Sequence, residues 1–346
     1  MKDFTKEVNM VVEMIKEAKR IVVFPTARID LDCISSARIF KKICKSINPN
    51  VAVDIYSDFQ VDEYHSFIKG DDEFTSFLKG KTDFSEYDFS VIVDGSLTSQ
   101  LLKKNLGRVE ITLPTNQVVI DHHSEANTAN PDSIMIIDSS FKSTSVLLWE
   151  LFIKPLNLVT PDIATLALAG YVGDTGYFRW VEKVEDFRHL DDLLKNKADI
   201  KLLADNYFKF LNFSDLKICL KFTELTSYDY ATGLYIVGIP LKFEGEQKLH
   251  PDLFNDVKDY YLLQLQNTRG WKVIVTIKES PNDFVWVSLR SSDENILDCS
   301  MVAREIGKHG NGTGGGHKRA SGANMKMNFD EAKRYIEETI RKYLVK

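Results

Sequence analysis

The chain has no uncharged apolar run long enough to cross a bilayer, which predicts a protein without a membrane span. Its start, Met1-Lys2-Asp3-Phe4-Thr5, lacks the apolar stretch of a secretory leader. Cysteine is scarce: Cys33, Cys44, Cys219 and Cys299 show neither paired zinc spacing nor a disulfide framework. These absences suit a cytoplasmic protein. Positive charge is also short, since 44 Lys and Arg face 50 Asp and Glu, for a net charge of −6. That excludes the broad basic face needed to bind long duplex nucleic acid, but not a small phosphorylated substrate held by metals and a few basic residues. A Walker loop is missing, because no Gly-rich segment ends in Lys followed by Ser or Thr. Internal repeats and low-complexity tracts are absent too.

What is present is a set of acidic clusters next to apolar runs. Val118-Val119-Ile120 reads as a buried strand and ends in Asp121-His122-His123. Ile21-Val22-Val23-Phe24 leads to a loop with Asp30-Leu31-Asp32, and Val91-Ile92-Val93 leads to Asp94. Asp174 lies in Tyr171-Val172-Gly173-Asp174-Thr175-Gly176. Each Asp alone reads as a helix cap or a solvated turn. Four such clusters, three at strand ends where α/β sheets place their ligands, read together as a cage for two divalent ions. Carboxylates with a few imidazoles favour Mn²⁺ or Mg²⁺ over zinc. Two such ions lower the pKa of water and hold the attacking and leaving oxygens of an in-line displacement at phosphorus.

The pattern of elements predicts an α/β fold, with a doubly wound, mostly parallel sheet followed by a smaller C-terminal α/β domain. Helices are expected over residues 4–20, 35–45, 143–154 and 161–172, with strands at 21–24, 51–56, 90–93 and 117–120. Segment 58–87 has no clear period and reads as short helices. Residues 1–190 form the expected first domain, 191–225 a helical connector and 226–346 the second domain. Strand-like runs at 233–239, 271–277 and 284–290, a helix at 251–266 and a terminal helix at 329–344 mark that second domain.

Six of the eighteen glycines fall between Gly307 and Gly316, followed by His317-Lys318-Arg319. Such a loop can cradle an anion with successive N–H groups; its bland reading is a flexible turn. Phe178 and Trp180 are candidates for base stacking or for the core. Ser143, Thr144 and Ser145 read as a helix start, with a role near the site left open. His65, His189 and His250 read as surface or packing residues, and His309 as a polar loop residue.

These residues resemble the DHH phosphoesterase superfamily, over nearly the whole chain. Gly314-Gly315-Gly316-His317, Ala320-Ser321-Gly322-Ala323 and Arg290-Ser291 look like the signature of the DHH-associated domain in the nano-RNase, pAp-phosphatase and cyclic-dinucleotide phosphodiesterase branch. The resemblance implies that Asp30 and Asp94 ligate one ion, and that Asp32, Asp94, His122 and Asp174 ligate the other. His123 would contact the scissile phosphate, and Asp121 would orient an imidazole. Arg290, Ser291, Gly314, Gly315, Gly316 and His317 would bind the nucleotide across an interdomain cleft. The family's first motif usually carries a His four residues before the first Asp; this chain has Thr26 there, which implies a weakened first ion site. Arg28 is either a phosphate contact or a solvated residue.

The implied activity is hydrolysis of short oligonucleotides, pAp-like nucleotides or cyclic dinucleotides such as cyclic di-AMP. An exopolyphosphatase-like hydrolase and a catalytically weakened nucleotide sensor are the alternatives. The partner is a small nucleotide or short single strand rather than a membrane, and a homodimer is left open.

Overall fold

The computed structural model describes residues 2–25, 30–57, 66–70, 74–76, 83–95, 111–123, 132–179, 181, 183–207, 213–247, 251–281 and 283–344. The chain divides into two compact units, Met1–Lys209 and Phe210–Lys346.

The first unit runs α1 (Thr5–Glu17), β1 (Arg20–Pro25), α2 (Leu31–Ile47), β2 (Ala52–Ser57), α3 (Ser66–Lys69), β3 (Phe74–Ser76), β4 (Phe89–Val93), β5 (Gln117–Asp121) and β6 (Ile134–Ile137). It continues with α4 (Thr144–Leu148), extended by a π turn at Trp149–Ile153, then α5 (Pro161–Asp174), α6 (Val184–Lys195) and α7 (Ile200–Tyr207). The sheet order is β3-β2-β1-β4-β5-β6, and every neighbouring pair is parallel. The order reverses between β1 and β4, the position at which open parallel sheets leave a crevice at their carboxyl ends.

Parallel strands are covered on both faces, and the residues of β4, Phe89-Ser90-Val91-Ile92-Val93, are buried throughout. Alternation along β1 sends Ile21 and Val23 into the main core with Phe40, Trp149 and Tyr171. Val22 and Phe24 go into a second cluster with Phe84, Tyr87, Ile92 and Val119. There Phe24 and Phe84 meet edge to face, 5.0 Å between centroids.

The second unit runs α8 (Phe213–Lys221) with a 3₁₀ turn at Phe222–Leu225, β7 (Thr226–Asp229), β8 (Leu234–Ile239), α9 (Leu241–Gln247), α10 (Pro251–Gln266), β9 (Val273–Ser280) and β10 (Phe284–Ser291). It ends with α11 (Cys299–His309), β11 (Gly314–His317), β12 (Ala320–Lys326) and α12 (Phe329–Leu344). Its sheet order is β11-β12-β10-β9-β8-β7; β8 and β9 are parallel and the other pairs antiparallel. One face packs on α11 and α12 through Val302, Ile306, Ile336 and Ile340. Phe222, Phe254, Val257 and Tyr261 pack against Tyr235, Val237 and Ile274 in a separate core.

Helices α10 and α12 match their expected bounds, and the parallel sheet is as the sequence implies. Three local readings change. Segment 58–87 is not made of short helices alone: Phe74–Ser76 forms β3, paired with β2 at the edge of the sheet. Asp32 is not in a loop: Asp30 caps α2 by accepting from Asp32 N and Cys33 N, both at 3.0 Å, so Asp32 lies in the first helical turn. The end of the Gly-rich segment is a strand, since Gly314–His317 pairs in register with β12. Its glycines answer to packing. A Cβ at Gly314 would fall on the Ala303 carbonyl of α11, and one at Gly312 on the Asn324 carbonyl of β12. Gly316 has φ +131°, which favours glycine, whereas Gly315 has open space around its Cβ position.

These contacts generate a paired prediction. Gly314→Ala forces α11 away from β11 and costs about 1–3 kcal/mol, as overpacking does. Gly315→Ala stays within about 0.5 kcal/mol of the parent. Denaturant unfolding followed in the second unit distinguishes them; equal losses in both variants would refute the packing account.

Candidate active site

Asp94 directly follows β4 with φ +57°, a left-handed conformation that Asp adopts more readily than most residues. Its carboxylate is buried. Oδ1 accepts from Thr144 Oγ1 at 3.0 Å and Oδ2 from Cys33 Sγ at 2.9 Å. Asp32 is buried beside it. Thr144 N donates to Oδ2 at 2.6 Å and Ser145 N to Oδ1 at 3.0 Å, so the first turn of α4 holds this acid through the main chain. Ser143 caps the same helix, its Oγ accepting from Val146 N at 3.3 Å. Gly170 in α5 leaves the room: a Cβ there would fall on Asp32 Oδ1 and Ser145 Oγ.

Asp174 is the last residue of α5. Beyond it Gly176, Tyr177 and Phe178 all have positive φ, between 56° and 69°. Thr175 Oγ1 fixes this turn by accepting from Phe178 N at 3.2 Å, and Tyr177 N donates to Val172 O at 2.8 Å. The Phe178 ring packs on Tyr171 and Tyr177 at the edge of the core.

Asp121 ends β5 with no exposure to solvent. Its Oδ1 accepts from His123 N at 3.1 Å and lies 2.7 Å from His123 Nδ1, which fixes the ring of an otherwise half-exposed histidine. His122 instead places Nε2 3.0 Å from Asp174 Oδ2 and 3.5 Å from Asp94 Oδ1.

The charges of these acids act on one another. Burial is the main force raising the Asp94 carboxyl well above its usual range, followed by the charges of Asp32, Asp30 and Asp174; His122 opposes the shift. Burial likewise pushes Asp174 up, with Asp32, Asp30 and Asp121 adding to it. Among the described residues, the ion pairs of Asp94 and Asp174 are with imidazoles, not with Lys or Arg.

The donor set fits a divalent cation. Ligand atoms of Asp32, Asp94, His122 and Asp174 lie within 4.8 Å of one another, and so do those of Asp30, Cys33 and Asp94 and those of Asp94, His122 and His123. His122 Nε2 and Asp174 Oδ2 are buried without a hydrogen bond although only 3.0 Å apart, and Asp121 Oδ2 is buried without one as well. Buried polar atoms are rarely left in that state, and an ion between two of them accounts for the arrangement.

The first unit therefore brings together Asp30, Asp32, Asp94, Asp121, His122, His123 and Asp174. Sequence reasoning did not assign Cys33 and Gly170 to the site, and it left Thr144 and Ser145 undecided. Thr26, Arg28 and Trp180 lie outside the described residues.

The remaining expected residues sit in the second unit. Register aligns Arg290, Ala320 and His317 in one row across β10, β12 and β11. Cross-strand partners share a face, so Arg290 and His317 lie on the same side of the sheet. Arg290 Nη1 donates to Ser288 Oγ at 3.1 Å and to Leu289 O at 3.0 Å. Ser291 faces the opposite side, buried, and its hydroxyl donates to Asp293 O at 2.7 Å. Elsewhere His189 lies 3.3 Å from Glu150 Oε1, and His309 stacks on Tyr335 at 3.6 Å. His65 and His250 fall outside the described residues.

The DHH family, N-terminal domain, matches residues 20–171, and the DHHA1 domain matches residues 246–342. An uncharacterized protein of Methanocaldococcus jannaschii is 22% identical over 324 residues, which is 89% of this chain and 87% of that protein. A membrane protein–large ribosomal subunit bL9 fusion protein of Aster yellows witches'-broom phytoplasma is 27% identical over 221 residues, 59% of this chain and 26% of the fusion, so the chain spans about a quarter of that protein. Among solved structures, an exopolyphosphatase-related protein from Bacteroides fragilis shares the fold, with a TM-score of 0.81 over 100% of this chain and 99% of that one at 16% identity. With a DHH match that takes in Asp30, Asp32, Asp94, Asp121, His122 and His123, and a DHHA1 match later in the sequence, the chain belongs to the DHH family of phosphoesterases.

Proposed function

We propose that this protein is a divalent-metal-dependent phosphoesterase acting on short phosphorylated nucleotides: very short oligonucleotides, pAp-like nucleotides or cyclic dinucleotides such as cyclic di-AMP. One observation carries the reading: buried His122 Nε2 and Asp174 Oδ2 stand 3.0 Å apart without a hydrogen bond, inside a cluster of acids whose ion-pair partners are imidazoles. Asp32, Asp94, His122 and Asp174 would hold one ion, and Asp30 with Asp94 would take part in holding a second. Bound there, Mn²⁺ or Mg²⁺ supplies Lewis acidity toward the phosphate and lowers the pKa of water.

The chain's own residues do the positioning. Thr144 and Ser145 fix the Asp32 carboxylate through their amides, so its orientation is set before any ligand arrives. Asp121 takes the Nδ1 side of His123, which leaves Nε2 to face the substrate; once Nε2 has taken a proton from the attacking water it can donate to a phosphate oxygen or hand that proton to the leaving oxygen. Arg290 and His317, on one face of the DHHA1 sheet, supply the donors for a substrate phosphate, with the backbone of Gly314, Gly315 and Gly316 beside them. Ser291 supports this row from the other face by closing the turn after β10. The acidic net charge of −6 favours a small substrate over a long polymer.

A polyphosphate or pyrophosphate hydrolase is the second reading, favoured by Thr26 in the first motif. Turnover of pApA, pAp, cyclic di-AMP and short polyphosphate, each with Mn²⁺ or Mg²⁺, decides between them. Release of nucleotide products supports the first reading; turnover of polyphosphate alone supports the second.

Two variants test the site itself. Asp94→Asn keeps a residue that tolerates the left-handed conformation and removes one buried negative charge. It is expected to abolish hydrolysis while the metal-free protein melts no lower than the parent. Mn²⁺ at 100 times its dissociation constant should stabilise the parent by about 2.7 kcal/mol and the variant far less. Equal stabilisation of both would count against Asp94 as a ligand. Gly170→Ala should displace Asp32, cost about 1–3 kcal/mol and weaken metal binding by calorimetry; unchanged binding would show that Asp32 is not held by this contact.

A further inference from the structure

We infer that the Cys33 sulfur is a metal ligand, and that the position formed by Asp30, Cys33 and Asp94 takes a borderline-soft divalent ion such as Zn²⁺ or Co²⁺ rather than Mg²⁺. The inference rests on the metal-site reading above and deepens it.

Cys33 is fully buried one residue after Asp32, in the first turn of α2. Its Sγ lies 2.9 Å from Asp94 Oδ2, and ligand atoms of Asp30, Cys33 and Asp94 all fall within 4.8 Å of one another. The other oxygen of Asp94, Oδ1, faces Thr144 Oγ1 and His122 Nε2. The two oxygens of one carboxylate are thus turned to two different groups. The group on the Oδ1 side contains the buried His122 Nε2 and Asp174 Oδ2 that lack hydrogen bonds. The group on the Oδ2 side offers two acids and one sulfur. No imidazole precedes Asp30 in Phe24-Pro25-Thr26-Ala27-Arg28-Ile29, so among nearby sequence positions the sulfur is the soft donor available.

Ligand type sets metal preference. Carboxylates alone suit Mg²⁺ and Mn²⁺, whereas a thiolate shifts selection toward zinc, cobalt and iron. The thiol binds as thiolate, so loading the site releases the Cys33 proton to solvent and replaces the S–H contact to Asp94 with two bonds to one ion. The capping geometry suits this role. Asp30 Oδ1 already accepts from Asp32 N and Cys33 N, each at 3.0 Å, which holds Asp30 and Cys33 on the same turn before any ion arrives.

The test uses the full-length protein loaded with Zn²⁺ and examined by X-ray absorption at the zinc edge, alongside measured metal content. A sulfur neighbour at about 2.3 Å in the parent, lost in Cys33→Ser, is the expected result. Bound zinc with only nitrogen and oxygen neighbours in the parent overturns the inference and leaves the metal-site reading standing. A protein that retains no zinc, manganese or magnesium overturns both. Should Cys33→Ser fail to fold, Co²⁺ loading of the parent decides alone: a thiolate-to-cobalt charge-transfer band in the near ultraviolet supports the ligand, and bound Co²⁺ without that band refutes it.

Discussion

The first unit is organised around an electrostatic constraint: several carboxylates held together with little access to water. Burial and mutual repulsion push both Asp94 and Asp174 well above their usual range. The protein relieves this with neutral donors. The amides of Thr144 and Ser145, the hydroxyl of Thr144 and the thiol of Cys33 satisfy oxygen lone pairs without cancelling charge. A lysine in the same place would cancel the charge and remove any need for a cation. Neutral donors keep the acids in position and leave the field negative, which is what a divalent ion requires.

The sheet explains why these groups can converge at all. Asp30 and Asp94 follow β1 and β4 and Asp121 ends β5, so three of the acids arise at the carboxyl edge beside the reversal of strand order. Asp174 comes from a different direction, the end of α5. Its approach depends on small residues: Gly170 makes room for Asp32 and Ser145, and a Cβ at Gly173 would press on the Leu31 side chain. The glycines of α5 therefore trade helix propensity for the closeness of two helices.

Much of this was legible in the sequence because hydrophobic periodicity is local. The strands before Asp94 and Asp121 and the helices α10 and α12 carry their own period, and Thr160-Pro161 marks the start of α5. Other features depend on contacts made only after folding. The start of α2 was hidden because Asp30 caps it with a carboxylate that equally well reads as a loop acid. The Gly314–His317 strand has no apolar alternation; its residues are small because α11 and β12 press on the backbone. β6 escaped because Ile134-Met135-Ile136-Ile137 is too short to choose between strand and helix. Cys33 and Gly170 join the site through neighbours 61 and 138 residues from them, Asp94 and Asp32, and no spacing rule encodes that (94 − 33 and 170 − 32).

Charge balance gives the last step. Asp30, Asp32, Asp94 and Asp174, all ionised, carry four negative charges. One divalent ion leaves two of them uncompensated, and the site would still repel a phosphate. In the proposed site two divalent ions would bring the sum to zero, which removes the repulsion an anionic substrate would meet. A thiolate at Cys33 would make the sum one unit more negative, which ties the approach of a phosphate more tightly to both ions being bound. His123 stands beside this group with its Nδ1 held 2.7 Å from Asp121 Oδ1. Asp121 thus fixes the orientation of this imidazole through both its main-chain and its side-chain nitrogen.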